Sequence, residues 1–115
     1  MEPQRGEIWW VQLDPTRGSE VNKTRPAVVI SALSLARLPV RIIVPITSWQ
    51  PKFATRPTMI PISASSLNGL NNNLAADTLQ IRCVSIERIT QRIGIIDPNQ
   101  LDAIVEGVAL CIDYK

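Results

Sequence analysis

The segment Lys23-Thr24-Arg25-Pro26-Ala27-Val28-Val29-Ile30 joins a polar loop to a short apolar run. Residues 26–30 include three β-branched side chains, a composition typical of a buried strand. Pro26 favours an extended backbone at the preceding residue, so we expect the strand to begin at Arg25. A guanidinium held where a loop meets a rigid strand is suited to binding an anion. An ordinary surface arginine at a strand start is the alternative interpretation.

Other short strands and one helix surround this segment. The pattern predicts strands over residues 6–13, 41–47, 58–62, 78–82 and 88–94. Pro45 near the end of one of them favours an edge or a bulge over mid-sheet. Asp97 followed by Pro98 predicts the start of a C-terminal helix, whose apolar stripe is Leu101, Ile104, Val105, Val108 and Ile112. The chain is therefore predicted to be one mainly-β (α+β) domain, 1–115: a small, strongly bent antiparallel barrel with a C-terminal helix.

The composition argues against several classes of site. Histidine is absent, which removes the commonest general base and the commonest zinc ligand. No cluster of acids resembles a magnesium site, and no glycine-rich loop resembles a phosphate-binding loop. We therefore expect no metal and no other cofactor. Any catalysis is expected to rely on Arg, Thr or Ser.

Hydropathy and cysteine usage indicate a cytoplasmic protein. No apolar run reaches the roughly 18 residues that a membrane helix needs, and no apolar stretch follows residues 1–5 as a signal peptide requires. Cys83 and Cys111 both lie in apolar segments, so we expect reduced core thiols rather than a disulfide.

Charge is unevenly distributed along the chain. Residues 5–56 contain eight lysines and arginines against three acids, and residues 57–115 contain four against six. A basic half is compatible with a polyanion such as nucleic acid; a basic soluble face is the alternative.

A series of short motifs resembles the MazF/PemK (Kid) family of toxins. In chain order they are Arg5-Gly6-Glu7-Ile8-Trp9, Leu13-Asp14-Pro15, Gly18-Ser19-Glu20, Arg25-Pro26, Ile46-Thr47 and Gln80-Ile81-Arg82. The resemblance implies an SH3-like barrel of the CcdB/MazF type, forming a homodimer. It also implies the toxin of a toxin–antitoxin pair, a metal- and ribosome-independent endoribonuclease that cuts single-stranded RNA at a short sequence. The implied partner is a MazE-like antitoxin whose disordered tail blocks the RNA groove. Contact with DNA would then run only through the antitoxin, and no membrane is involved.

The chemistry implied for such an enzyme is attack of the RNA 2′-OH on the adjacent phosphate, which leaves a cyclic phosphate and a 5′-OH. Arg25 is predicted to stabilise the charge on the phosphorane through its two-pronged guanidinium. Thr47 lies at the family's catalytic Thr or Ser position and is predicted to orient the phosphate. The RNA-binding residues are predicted to be Arg17, Gly18, Ser19, Glu20, Lys23, Ser48, Trp49, Gln80 and Arg82. Among these, Gln80 and Arg82 are predicted to read base edges or phosphates, with an ordinary outward-facing strand pair as the alternative. Trp49 either packs under its loop or stacks on a base.

One position departs from the family pattern. Many relatives carry an acid immediately before Gln-apolar-Arg, whereas Leu79 stands here and Asp77 lies two residues earlier. The general base therefore stays unassigned. A non-catalytic CcdB-like inhibitor, or a decayed relative that binds RNA or its antitoxin without cleaving, is the alternative to an endoribonuclease.

Overall fold

A bent antiparallel sheet and one C-terminal helix make up the computed structural model, which describes residues 2–114. The strands are β1 (Glu7–Gln12), β2 (Thr24–Val29), β3 (Val40–Ser48), β4 (Met59–Ile62), β5 (Leu74–Asp77), β6 (Arg82–Ser85) and β7 (Ile89–Ile95), and the helix is α1 (Pro98–Cys111). Their order is β4-β5-β3-β2-β1-β7, with β6 also paired to β3. This architecture confirms the predicted mainly-β fold with a C-terminal helix.

Strand β3 is the centre of the sheet. It pairs with β2 along one edge, while its other edge pairs with β6 over residues 40–43 and with β5 over residues 46–48. Pro45 lies opposite Ala27 of β2, in the interval between the other two partners. Proline has no N–H to donate. Along this interval no strand pairs with the β5/β6 side of β3, so no hydrogen bond from Pro45 is missing there. The prediction of an edge or bulge at Pro45 is therefore wrong, because the gap accommodates it in the central strand.

Buried apolar side chains form clusters on both faces of the sheet. Ile8, Val28 and Val44 pack with Ile104 of α1 in one cluster, whereas Trp9 packs with other sheet residues in a second. Trp9 is thus in the core, whereas its neighbour Trp10 is exposed.

Helix α1 begins as predicted, because the Asp97 carboxylate accepts a hydrogen bond from the amide of Asn99 and Pro98 follows the cap. Its apolar stripe is only partly correct. Ile104 is fully buried, but Val105 is 37% and Ile112 70% exposed. Within residues 2–114, no helix is long and apolar enough to cross a membrane.

The predicted strand over residues 78–82 is wrong. Strand β5 ends at Asp77, residues Thr78–Gln80 form a 3-10 turn, and β6 begins at Arg82. Thr78 is fully buried, and its hydroxyl donates to the carbonyl oxygen of Thr58 at 2.6 Å. Gly107 lets α1 approach this turn, since a Cβ there would lie 2.9 Å from Cγ2 of Thr78. Because Thr78 is buried and hydrogen-bonded there, the chain turns, and two short strands on either side of the turn replace the predicted strand.

The two cysteines are unpaired, but neither is a buried core thiol. Cys83 is exposed and Cys111 is half-buried. Cys83 lies on β6 opposite Ile42, on the outward face of that pairing.

Candidate active site

The strand register brings Arg25, Thr47 and Asp77 to one face of the sheet. Ala27 pairs with Pro45, so extending the register by two residues puts Arg25 opposite Thr47. Thr47 pairs with Ala75, so Asp77 is its diagonal neighbour on the same face. A cavity of about 350 Å³ opens there, and its lining includes all three side chains together with Val21, Asn22, Ser48, Gln50 and Phe53.

The Arg25 guanidinium is only partly engaged by the protein. Its Nε donates to the carbonyl oxygen of Asn22 at 3.1 Å. Throughout the described part of the chain, its two Nη groups have no hydrogen-bond partner and it forms no salt bridge. Arg25 therefore presents two free donors to the cavity, which is the arrangement that bidentate recognition of phosphate requires.

Thr47 is half-buried at the end of β3, next to the exposed Ser48. Its hydroxyl forms no hydrogen bond with any residue between 2 and 114, so it does not satisfy local backbone groups. A hydroxyl can both donate and accept, and this one is available to a bound group.

Asp77 was not among the predicted site residues. Burial raises the pKa of its carboxyl, and this outweighs the opposite effect of the backbone amides of Gln80 and Leu79 and of the Arg56 guanidinium. Asp77 reaches the cavity because it is the last residue of β5. The sequence analysis predicted a strand over residues 78–82 instead, and so did not place Asp77 on a strand. The signal available in the sequence was Asp77 itself, an acid two residues before Leu79.

Phe53, on the 3-10 turn Pro51–Thr55, lines the cavity and is in contact with aromatic and basic neighbours. Phe53 is buried, and the Trp49 ring packs against it edge-on at a centroid distance of 5.8 Å. Lys52 and Arg56 each lie within 6 Å of the Phe53 ring centroid, at 5.9 and 5.8 Å. These two cations were missed by the sequence analysis, whereas Trp49 packs under its loop in this structure.

The loop of residues 14–23 carries five predicted RNA contacts. Arg17, Gly18, Ser19 and Glu20 are all exposed, and the Glu20 carboxylate accepts from the Arg17 amide at 2.5 Å. Lys23 lies in a neighbouring hollow lined by Gln12, Asp14 and Thr24, not in the cavity that contains Arg25.

Gln80 forms hydrogen bonds with this loop, and Arg82 forms one with Leu13, the residue that precedes it. The Gln80 side chain accepts from the Val21 amide at 3.2 Å and donates to the Ser19 carbonyl at 3.0 Å. Arg82 donates to the Leu13 carbonyl at 3.1 Å. The alternative, an ordinary outward-facing pair on one strand, is wrong, because Gln80 lies in the 3-10 turn and bonds the loop whereas Arg82 begins β6.

Not every basic residue in the basic half of the chain, residues 5–56, is exposed. Arg41 is buried, and its guanidinium donates to the carbonyl oxygens of Pro3, Ala36, Leu38 and Val40. Arg25 lines the cavity, and Lys52 and Arg56 lie against Phe53, which also lines it. Among the residues that the structure covers, no group of three or more His, Cys, Asp or Glu side chains is placed to hold a metal ion.

Comparison with known proteins gives one consistent family. Residues 4–112 match the model of the PemK-like, MazF-like toxins of type II toxin–antitoxin systems. The chain is 39% identical over 117 aligned residues to the endoribonuclease MazF9 of Mycobacterium tuberculosis, covering 96% of each protein. Its fold is similar to MazF from Deinococcus radiodurans, with a TM-score of 0.83, 17% identity and 99% of each chain covered. It also resembles a mycobacterial endoribonuclease solved with its cognate antitoxin, with a TM-score of 0.76, 17% identity, and coverage of 98% of this chain and 97% of that one.

Proposed function

This chain belongs to the PemK-like, MazF-like toxins of type II toxin–antitoxin systems, and we propose that it is an endoribonuclease that cleaves single-stranded RNA. The observation that carries the proposal is the pairing of Arg25 and Thr47 in one open cavity, with the Nη groups of Arg25 and the hydroxyl of Thr47 unoccupied.

The proposed reaction is attack of a 2′-OH on the adjacent phosphate. Charge accumulates on the phosphoryl oxygens in the transition state, and donors already aimed at those oxygens stabilise it most. Arg25 supplies two such donors and a permanent positive charge. Thr47 hydrogen-bonds the same phosphate and orients it for in-line attack. These roles need no metal ion.

The flanking RNA is proposed to run between the loop of residues 14–23 and the turn Pro51–Thr55. Arg17, Ser19, Glu20 and Ser48 are exposed along this path, and Gly18 leaves its backbone open to a strand of RNA. Lys23, Lys52 and Arg56 add phosphate contacts of the kind that dominate nucleic-acid affinity. Gln80 and Arg82 act indirectly, by keeping the loop in place. Trp49 stacks on a base only if it leaves Phe53.

We further propose two protein partners. A homodimer would lengthen the groove, because one small barrel offers a cavity of only about 350 Å³ to an extended strand. A MazE-like antitoxin would fill the same groove with an acidic or extended tail. The support is the structural similarity to a mycobacterial endoribonuclease in complex with its antitoxin.

The test is cleavage of an unstructured RNA by the purified protein in EDTA, with DNA of the same sequence as control. We expect cuts in the RNA and none in the DNA, because DNA lacks the 2′-OH. Binding of the RNA without cleavage by the folded protein would refute the proposal and favour the non-catalytic alternative.

A further inference from the structure

We propose that Asp77 is the general base of this reaction, the group that takes the proton from the attacking 2′-OH; the inference rests on the proposed endoribonuclease activity. Asp77 is the one carboxylate among the residues that line the cavity of Arg25 and Thr47. Neither of those two suits the task, because arginine stays protonated and an uncharged hydroxyl is a weak base.

The placement of the three side chains leaves room for a phosphodiester between them. Thr47 and Asp77 are diagonal neighbours on paired strands, a relation that separates Cα atoms by roughly 7–8 Å. Within residues 2–114, no ion pair joins Asp77 to Arg25, although both line the same cavity. Arg25 and Asp77 therefore line one cavity without pairing with each other. A phosphate there can turn its phosphoryl oxygens toward the guanidinium and the neighbouring 2′-oxygen toward the carboxylate.

The Asp77 carboxylate does not cap the turn that follows it. Asp77 precedes the 3-10 turn Thr78–Gln80, where an acid commonly caps the backbone, yet its side chain forms no capping hydrogen bond. The nearby amides of Gln80 and Leu79 favour its ionised form without reaching that geometry. The other acid near the groove, Glu20, accepts from the Arg17 amide and lines a different hollow. A half-buried carboxylate with no capping hydrogen bond, in the same cavity as Arg25 and Thr47, is a candidate for chemistry.

The proton balance is simple. As the 2′-oxygen bonds to phosphorus, its proton passes to an Oδ atom of Asp77. The bond from phosphorus to the 5′-oxygen then breaks, and that oxygen takes a proton from water. Asp77 afterwards returns its proton to solvent, so no oxidant, reductant or other reactant is consumed. Burial raises the pKa of Asp77 and so makes it a stronger base, while the amides and Arg56 help to keep it ionised at neutral pH.

The experiment compares single-turnover cleavage by wild type, Asp77→Asn, Asp77→Glu and the matched control Asp102→Asn, which removes an exposed acid from α1. We expect Asp77→Asn to lose about 10²–10⁴-fold in rate and Asp102→Asn to lose none. The wild-type rate should fall tenfold per pH unit below the pKa of Asp77. The residual rate of Asp77→Asn should not depend on pH in this range, whereas the rate of Asp77→Glu should still fall as the pH is lowered. Equal rates for Asp77→Asn and wild type would overturn the inference.

Stability separates this role from a structural one. A carboxyl whose pKa is raised by folding stabilises the native state only at low pH, and that contribution is lost as the pH rises through the native-state pKa. At neutral pH, Asp77→Asn should therefore unfold at the wild-type temperature or higher while losing activity. If the variant unfolds instead, the pH profiles of wild type and Asp77→Glu decide, and a flat acid limb in both overturns the inference.

A modified substrate distinguishes a base from an acid. Replacing the bridging 5′-oxygen by sulfur gives a leaving group that needs no proton. The Asp77→Asn defect should persist on this RNA, because the 2′-OH must still be deprotonated. Disappearance of the defect would make Asp77 a general acid and overturn the assignment as base. Failure of the wild type to cut any RNA would instead refute the proposed function itself, so the two failures are distinguishable.

Discussion

Substitution of Arg25 by alanine removes the two unengaged donors and the positive charge from the cavity. Loss of one preorganised transition-state donor commonly costs about 10²–10³ in rate, or about 2.7–4 kcal/mol of barrier. Arg25 supplies two donors with its charge, so we expect at least the upper end of that range. Within residues 2–114, the same change removes one protein hydrogen bond, from Nε to the Asn22 carbonyl oxygen, near the surface.

The cost in stability should be far smaller than the cost in rate. An exposed hydrogen bond contributes about 0.5–1.5 kcal/mol. For a chain of 115 residues, the unfolding entropy per residue converts each kcal/mol into about 4 °C of Tm. We therefore expect Arg25→Ala to melt about 2–6 °C below wild type and to remain folded in the assay.

The assay is single-turnover cleavage of a labelled RNA, with Arg25→Lys and Arg37→Ala alongside. Arg25→Lys should restore little activity, because a point charge cannot replace the bidentate fork. Arg37→Ala removes the same charge from the exposed segment before β3, outside the cavity lining, and should cleave like wild type. Wild-type cleavage by Arg25→Ala would refute the reasoning, as would an equal loss from Arg37→Ala.

Other substitutions test the remaining parts of the account. Thr47→Ser should keep most activity and Thr47→Val should lose most of it in the same assay, since the hydroxyl is what the role requires; activity in the valine variant would remove Thr47 from the mechanism. Gln80→Ala removes two hydrogen bonds to the loop, so hydrogen exchange at the Val21 amide should quicken about tenfold; unchanged exchange would show that the loop is held by other contacts. Gly94→Ala should destabilise the fold by about 1–3 kcal/mol or more in urea unfolding, because a Cβ there would overlap the backbone of Leu67 and Asn68; wild-type stability would contradict that close approach.

The parts of the fold that follow local rules could be read from the sequence. Strand β2 has β-branched residues after Pro26, and α1 has a capping acid followed by proline, so both were predicted from neighbouring residues alone. The exposure of Ile112, at 70%, could not be read in this way. A helical stripe predicts the side that faces the core, but not how far along the helix the core extends.

The errors arise where a distant contact overrides the local pattern. Residues 78–82 alternate like a strand, yet the Thr78 hydroxyl bonds the Thr58 carbonyl beneath α1 and turns the chain. Pro45 resembles an edge residue until the gap between β5 and β6 is known. The family resemblance selected Arg25 and Thr47, which the structure brings together, but it could not select Asp77. That residue joins them only through the pairing of three strands.

The chemistry of the cut ends is the most direct test of the central claim. RNA cleaved by the purified protein in EDTA would be analysed by mass spectrometry to identify both new termini. Attack by the 2′-OH under Arg25 and Thr47 must leave a 2′,3′-cyclic phosphate, or its hydrolysis product, on one fragment and a 5′-OH on the other. Fragments bearing a 5′-phosphate and a 3′-OH would show that water or another nucleophile attacks, and would contradict the account.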